Sequence, residues 1–130
     1  MTRAGCPCGS GAAYRECCGP FVRRETEAPT AEALMRSRYT AYVRRDEPYL
    51  LRTWHASTRP ASLGLQLDDT VWLGLEVTDR DAGGLDDQAG IVTFAASYED
   101  ADGSVATMRE TSRFVCEGGV WLYVEGDAPD

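Results

Sequence analysis

Cys6-Pro7-Cys8 and, eight residues later, Cys17-Cys18 are the side chains of this sequence best suited to chemistry, and that chemistry is metal binding. Thiolates are soft ligands, and Zn²⁺ accepts four of them in a tetrahedron. The stretch between the pairs, Gly9-Ser10-Gly11-Ala12-Ala13-Tyr14-Arg15-Glu16, is rich in small residues that let a chain wrap an ion. Disulfides are the competing reading. A Cys-x-Cys pair and a vicinal pair are poor geometry for local bridges. A third reading makes Cys17-Cys18 a redox sensor, to which thiolates shielded by a metal are ill suited. Four sulfurs close the coordination sphere, so the ion is expected to be structural, since a catalytic zinc keeps a position for water. Four thiolates around Zn²⁺ carry a net charge of about −2. Arg3, Arg15 and the backbone N–H groups of Gly9–Gly11 are the nearest groups in sequence able to offset it.

Other reactive side chains are sparse. His55, beside Trp54, is the only histidine. It reads as a capping or hydrogen-bonding residue, and its titration near neutral pH is the only motive for making it a base. Glu110 is the candidate acid or base if it faces an apolar pocket. The competing reading pairs it with Arg38 or Arg59 to fasten a helix to a sheet. Arg113 lies an odd number of residues from Glu110 and leaves the opposite face of a strand. Cys116 reads as a small hydrophobe rather than a reactive thiol. Tyr39, Tyr42, Trp54, Trp72, Tyr98, Trp121 and Tyr123 supply core, pocket wall, or both.

The elements that must carry these residues follow from pattern. Pro29-Thr30 opens a helix, with Thr30 as N-cap and Glu32 in the positive first turn. Leu34, Met35, Tyr39, Tyr42 and Val43 recur at helical spacing, and the helix should stop near Arg45-Asp46. A second short helix is predicted from Pro48 to Trp54. Strands follow. Val71, Leu73, Leu75 and Val77 alternate with polar and small residues, residues 89–98 are β-branched and aromatic, and residues 105–116 alternate over a long stretch. Met108, Glu110, Ser112, Phe114 and Cys116 share one face of the last. Glu117-Gly118-Gly119 turns the chain into a strand over 120–124, so the last three strands form an antiparallel meander. Asp79 to Asp87, with Gly83-Gly84, reads as a mobile acidic loop. Helices first and a sheet afterwards predict a segregated α+β domain, a curved antiparallel sheet closed by helices into a cone. The expected boundaries are a metal-binding module at 1–20, a linker at 21–28 and the α+β domain at 29–130.

Composition narrows the function classes. The chain has 130 residues, no lysine and a net charge of −8. The missing lysine excludes Schiff-base, pyridoxal-phosphate and Walker-type chemistry, and a single histidine excludes HExxH-type metal sites. Residues 1–24 carry four arginines against one glutamate, so the head is basic and the body strongly acidic. An acidic body repels phosphate, and nucleic-acid binding by the main domain is not expected. No apolar stretch approaches the roughly 20 residues needed to span a bilayer. The first residues show no apolar signal-peptide core. A cytoplasmic location with reduced thiols is the resulting expectation.

Cys6-Pro-Cys8-Gly-Ser-Gly with Tyr14 and Cys17-Cys18-Gly19 resembles the SEC-C motif, the zinc-binding tail module of the SecA translocase. Pro29-Thr-Ala-Glu-Ala-Leu-Met-Arg-Ser-Arg-Tyr-Thr-Ala-Tyr42, Thr53-Trp54-His55, Ser57-Thr58-Arg59-Pro60, Glu110-Thr-Ser-Arg-Phe114 and Trp121-Leu-Tyr-Val-Glu-Gly126 resemble the YchJ family, UPF0225. The resemblance implies an NTF2-like α+β cone behind a zinc module, and it carries no activity with it. Two positions depart from the pattern. Ala12 and Ala13 stand where SEC-C modules usually carry lysines, so the resemblance does not carry over the basic surface with which the SecA tail contacts the SecB chaperone. Arg109 stands where the family often has a histidine, so no His–Glu pair exists there.

The leading expectation is a zinc-binding adaptor: the Cys6, Cys8, Cys17, Cys18 module meets a protein partner, and the cone supplies a pocket for a small apolar ligand or a homodimer face. The alternative is a small-molecule isomerase or hydrolase using Glu110 and His55, which rests on fold analogy.

Overall fold

In the computed structural model the described residues are 5–65 and 69–127; Arg3 lies outside them. A single 3₁₀ turn over Tyr14–Glu16 leads into a short helix, α1 (Gly19–Val22). Two further helices follow, α2 (Ala31–Arg44) and α3 (Glu47–Arg52). Thr30 caps α2 as predicted, its Oγ1 accepting from the Ala33 N–H at 3.0 Å. Arg45 ends it in the left-handed region, φ 57°. Asp46 then caps α3 by accepting from Tyr49 N–H at 3.2 Å.

Four strands make one antiparallel sheet in chain order: β1 (Val71–Ala82), β2 (Ala89–Glu99), β3 (Val105–Glu117) and β4 (Val120–Asp127). The meander is therefore one strand longer than the sequence pattern suggested. Gly118 and Gly119 both have positive φ, at 60° and 83°, as a two-residue hairpin turn between β3 and β4 requires. The backbone after α3 pairs with the free edge of β4. Tyr123 N–H donates to Thr53 O and His55 N–H donates to Tyr123 O, both at 2.8 Å. That contact covers an otherwise open edge and draws helices and sheet into the expected α+β cone.

Four expectations change. Phe21 and Val22 are not linker: they belong to α1 and pack on Tyr49, Leu50 and Leu65. The second helix stops at Arg52, because Trp54 leaves it to form the bridge with Tyr123. Asp79–Ala82 is strand rather than loop, paired with residues 90–93. In β1 a register shift between Trp72 and Gly74 resets the alternation. Trp72 turns inward to stack on Tyr39 and Tyr98, whereas Val71 and Leu73 are each 51% exposed.

Candidate functional site

The head wraps inward. Cys6 N–H donates to Ala12 O at 2.7 Å and Gly9 N–H to Cys6 O at 3.0 Å, which closes the first loop around its thiols. The 3₁₀ turn and the start of α1 then bring Cys17 and Cys18 beneath that loop. All four Sγ atoms lie within 4.8 Å of one another, with Cys8–Cys17 at 3.5 Å and Cys17–Cys18 at 4.0 Å. A tetrahedral Zn–S distance of about 2.3 Å needs sulfurs about 3.8 Å apart, so the donor set fits a thiolate-loving metal ion in size and chemistry. All five cysteines are free thiols.

Hydrogen bonding within the cluster favours the thiolate at one position, Cys8. Hydrogen bonds, first from Cys18 and then from Ser10 and Cys17, draw Cys8 down to about 4 against the effect of burial. The same bond to Cys8, with burial, pushes Cys18 up, and burial pushes Cys17 up. Ser10 contributes twice, from its backbone N–H to Cys8 and from its hydroxyl, 3.0 Å from Cys17 Sγ.

Sequence reasoning missed the residues that hold the cluster from outside. Cys6, Cys8 and Cys18 are buried in one core with Ala31, Leu34, Met35 and Tyr39, so the head lies on α2. Arg36 donates to Cys8 O at 2.8 Å, and Thr40 Oγ1 lies 3.6 Å from Cys6 Sγ. Arg44 sits over the Tyr14 ring, 4.4 Å from its centroid. Arg36, Thr40 and Arg44 are spaced four apart, one face of a helix, and that spacing was the available signal. Arg15, expected to offset the thiolates, is exposed, and the nearby cation is Arg36.

Beneath α2 the cone holds an open-mouthed cavity of about 240 Å³. Its wall includes Tyr39, Tyr42, Trp72, Phe94, Phe114 and Tyr123, with Arg38, Glu110 and Ser112 as polar groups. Glu110 therefore faces the cavity, but the predicted ion pair to Arg38 or Arg59 is not formed. Arg38 donates from Nη1 to Leu50 O at 2.8 Å and Thr53 Oγ1 at 2.7 Å, satisfying the last turn of α3 instead. Arg59 donates to Trp54 O. Glu110 accepts from the Ser112 hydroxyl at 2.7 Å. Burial, then the neighbouring Glu110 carboxylate, pushes the Tyr123 hydroxyl up to about 12.

His55 lies elsewhere. Its Nε2 is 2.9 Å from Glu117 Oε2, and its Nδ1 accepts from the Ser57 N–H at 3.1 Å, outside the cavity wall. It ties the segment after α3 to the β3–β4 turn, so Glu110 and His55 do not share a site. Arg113 faces outward to Glu125 and Asp127. Cys116 is half-buried against the core, paired with Trp121 across the hairpin. No helix among the described residues is long and apolar enough to cross a membrane.

Residues 30–126 match the family described as YchJ, middle NTF2-like domain, and residues 4–20 match the SEC-C motif. The chain is 49% identical over 125 residues to a UPF0225 protein of Streptomyces avermitilis, covering 95% of this chain and 84% of that one. It is 50% identical over 129 residues to a UPF0225 protein of Chromobacterium violaceum, covering 97% and 94%. The solution structure of a SEC-C motif-containing protein from Rhodopseudomonas palustris superposes with a TM-score of 0.86 at 33% identity, over 98% of this chain and 100% of the other.

Proposed function

The chain belongs to the UPF0225 family, a SEC-C motif followed by a YchJ-type NTF2-like domain, and on that premise we propose that it is a zinc-ordered binding protein rather than an enzyme. Cys6, Cys8, Cys17 and Cys18 hold Zn²⁺, and the head so ordered meets a protein partner. The convergence of four inward-facing Sγ atoms carries this reading. With four thiolates the ion supplies a cross-link and keeps no position for water or substrate. The separation of His55 from Glu110 supports the absence of a catalytic pair.

The division of surfaces supports the adaptor role. The thiols and the α2 face are consumed by packing, whereas Gly9, Ser10, Gly11, Ala12 and Arg15 are exposed on the other side of the same loop. A metal that fixes the inside of a short loop fixes the shape of its outside. The cavity in the cone is a second binding element, for a small molecule.

Affinity capture tests the head. Wild-type protein and Cys8→Ser are used as baits, with far-ultraviolet circular dichroism confirming that the cone of the variant is folded. A partner retained by wild type and lost from Cys8→Ser is the expected result. Equal recovery of every partner by both baits contradicts the role given to the head.

A further inference from the structure

The polar groups of the cavity form an incomplete pair. Arg38 is only 5% exposed, and both of its hydrogen bonds leave from Nη1. Its guanidinium lies over Trp54 and Tyr123, 5.0 and 4.5 Å from the ring centroids. None of the ion pairs among the described residues includes it. The only fully buried side-chain nitrogen or oxygen without a partner among those residues is Arg52 Nε. The unbonded nitrogens of Arg38 therefore touch open space, and Arg38 lines the cavity. On the same wall Glu110 accepts from the Ser112 hydroxyl and from the Tyr123 hydroxyl. A carboxylate has about four acceptor sites, so it can accept more.

Charge then selects the ligand. Arg38 and Glu110 cancel. A third net charge in this aromatic-walled cavity would give up part of its water without a counter-charge, which is costly. An entirely apolar guest would leave the Arg38 donors unpaired. The guest that satisfies both walls is neutral and carries an acceptor next to a donor. Its body is flat, because Trp72, Tyr39 and Phe114 present ring faces and edges. At roughly 30 Å³ per water-sized group the cavity of about 240 Å³ takes on the order of eight non-hydrogen atoms, below drug size.

We propose that the cavity binds a small uncharged aromatic amide or lactam, whose carbonyl oxygen accepts from the free N–H groups of Arg38 and whose N–H donates to Glu110. This deepens the reading of the cavity as a small-molecule site and needs nothing from the head. A failed capture experiment leaves it standing, and its own failure leaves the partner role of the head standing.

Benzamide, benzoate and toluene are matched probes of about this size. Each is titrated into the full, metal-loaded protein while the indole N–H resonances are followed by NMR. Trp72 lines the cavity, whereas the Trp121 indole donates to Pro29 O and serves as an internal control. Benzamide is expected to shift Trp72 and not Trp121, with an affinity about tenfold or more above benzoate and toluene, because a site that pairs polar groups rejects analogues lacking them. In Glu110→Gln the cavity gains a net positive charge, and the preference is expected to swing about tenfold towards benzoate. No shift of Trp72 with benzamide, or equal affinity for the three probes, overturns the proposal. An unchanged order of preference in folded Glu110→Gln overturns it too. If that variant does not fold, the three wild-type affinities decide.

Discussion

Arg36 of α2 donates from Nη1 to the carbonyl oxygen of Cys8, 2.8 Å away and 28 residues earlier in the chain. That bond joins the cysteine loop to the helix that roofs the cone. The same guanidinium bonds Glu32 through Nε at 2.9 Å, so the helix holds the arginine in place for the loop.

Arg36→Met keeps much of the aliphatic stem and removes both bonds. A loss of about 1–2 kcal/mol is expected, read from urea unfolding. Release of the head metal to a chelator should also quicken. An unchanged unfolding midpoint together with unchanged metal release would show that the bolt is ornamental.

Thr40 is fully buried, with its hydroxyl 3.6 Å from Cys6 Sγ. Thr40→Val preserves shape and deletes the only polar atom of that side chain. Groups that hydrogen-bond metal ligands tune affinity, so zinc affinity should fall about tenfold, while Thr40→Ser retains it. Competition with a chromophoric chelator measures both variants.

A Cβ placed on Gly126 would lie 2.9 Å from Glu110 Cγ and closer still to its carboxyl group. Gly126→Ala therefore drives Glu110 out of its place beside Ser112. Destabilisation of about 1–3 kcal/mol is expected from overpacking. The double variant Gly126→Ala/Glu110→Ala should recover part of it, a coupling that thermal unfolding of the four-protein cycle reveals. Strict additivity would mean that the two sites do not touch.

Glu32 bonds both Arg80 and Arg36. The bond from Arg80 and then that from Arg36 hold its carboxyl below the usual 4.5, against the effect of burial. A carboxyl lowered by folding stabilises fully above its unfolded value, and that stability is lost as pH falls through the lowered folded value. The gap in urea midpoint between wild type and Glu32→Gln should thus be level from about pH 7 to 5 and close below about pH 4. A gap that does not narrow as the pH falls below the ordinary carboxylate range contradicts this account.

How much could be read beforehand depended on how local each signal was. The cysteine pairs, the Thr30 cap, the stop at Arg45-Asp46 and the alternation through Met108, Glu110, Ser112 and Phe114 are written in neighbouring residues. Each was legible, and the shared face of the last set does line the cavity. Parity in β1 was not, because the register shift at Trp72 and Gly74 depends on the pairing with β2 and exchanges inner for outer residues. The docking of the head through Arg36 and Thr40 arises from tertiary contact and has no mark within residues 1–20. Arg38 was considered only as a partner for Glu110, since nothing local shows that the last turn of α3 claims its Nη1. Whether seven tyrosines and tryptophans fill a cone or line a hollow is a matter of summed volume that composition does not state.

The central claim is that four thiolates grip one inert cation and so order the head against α2. Its most direct test is the metal content and thiol state of protein purified without chelator, by elemental analysis and intact-mass spectrometry after alkylation. About one zinc per chain is predicted, with Cys6, Cys8, Cys17 and Cys18 shielded from alkylation until the metal is removed. Metal-free protein in which these cysteines are paired as disulfides would contradict it.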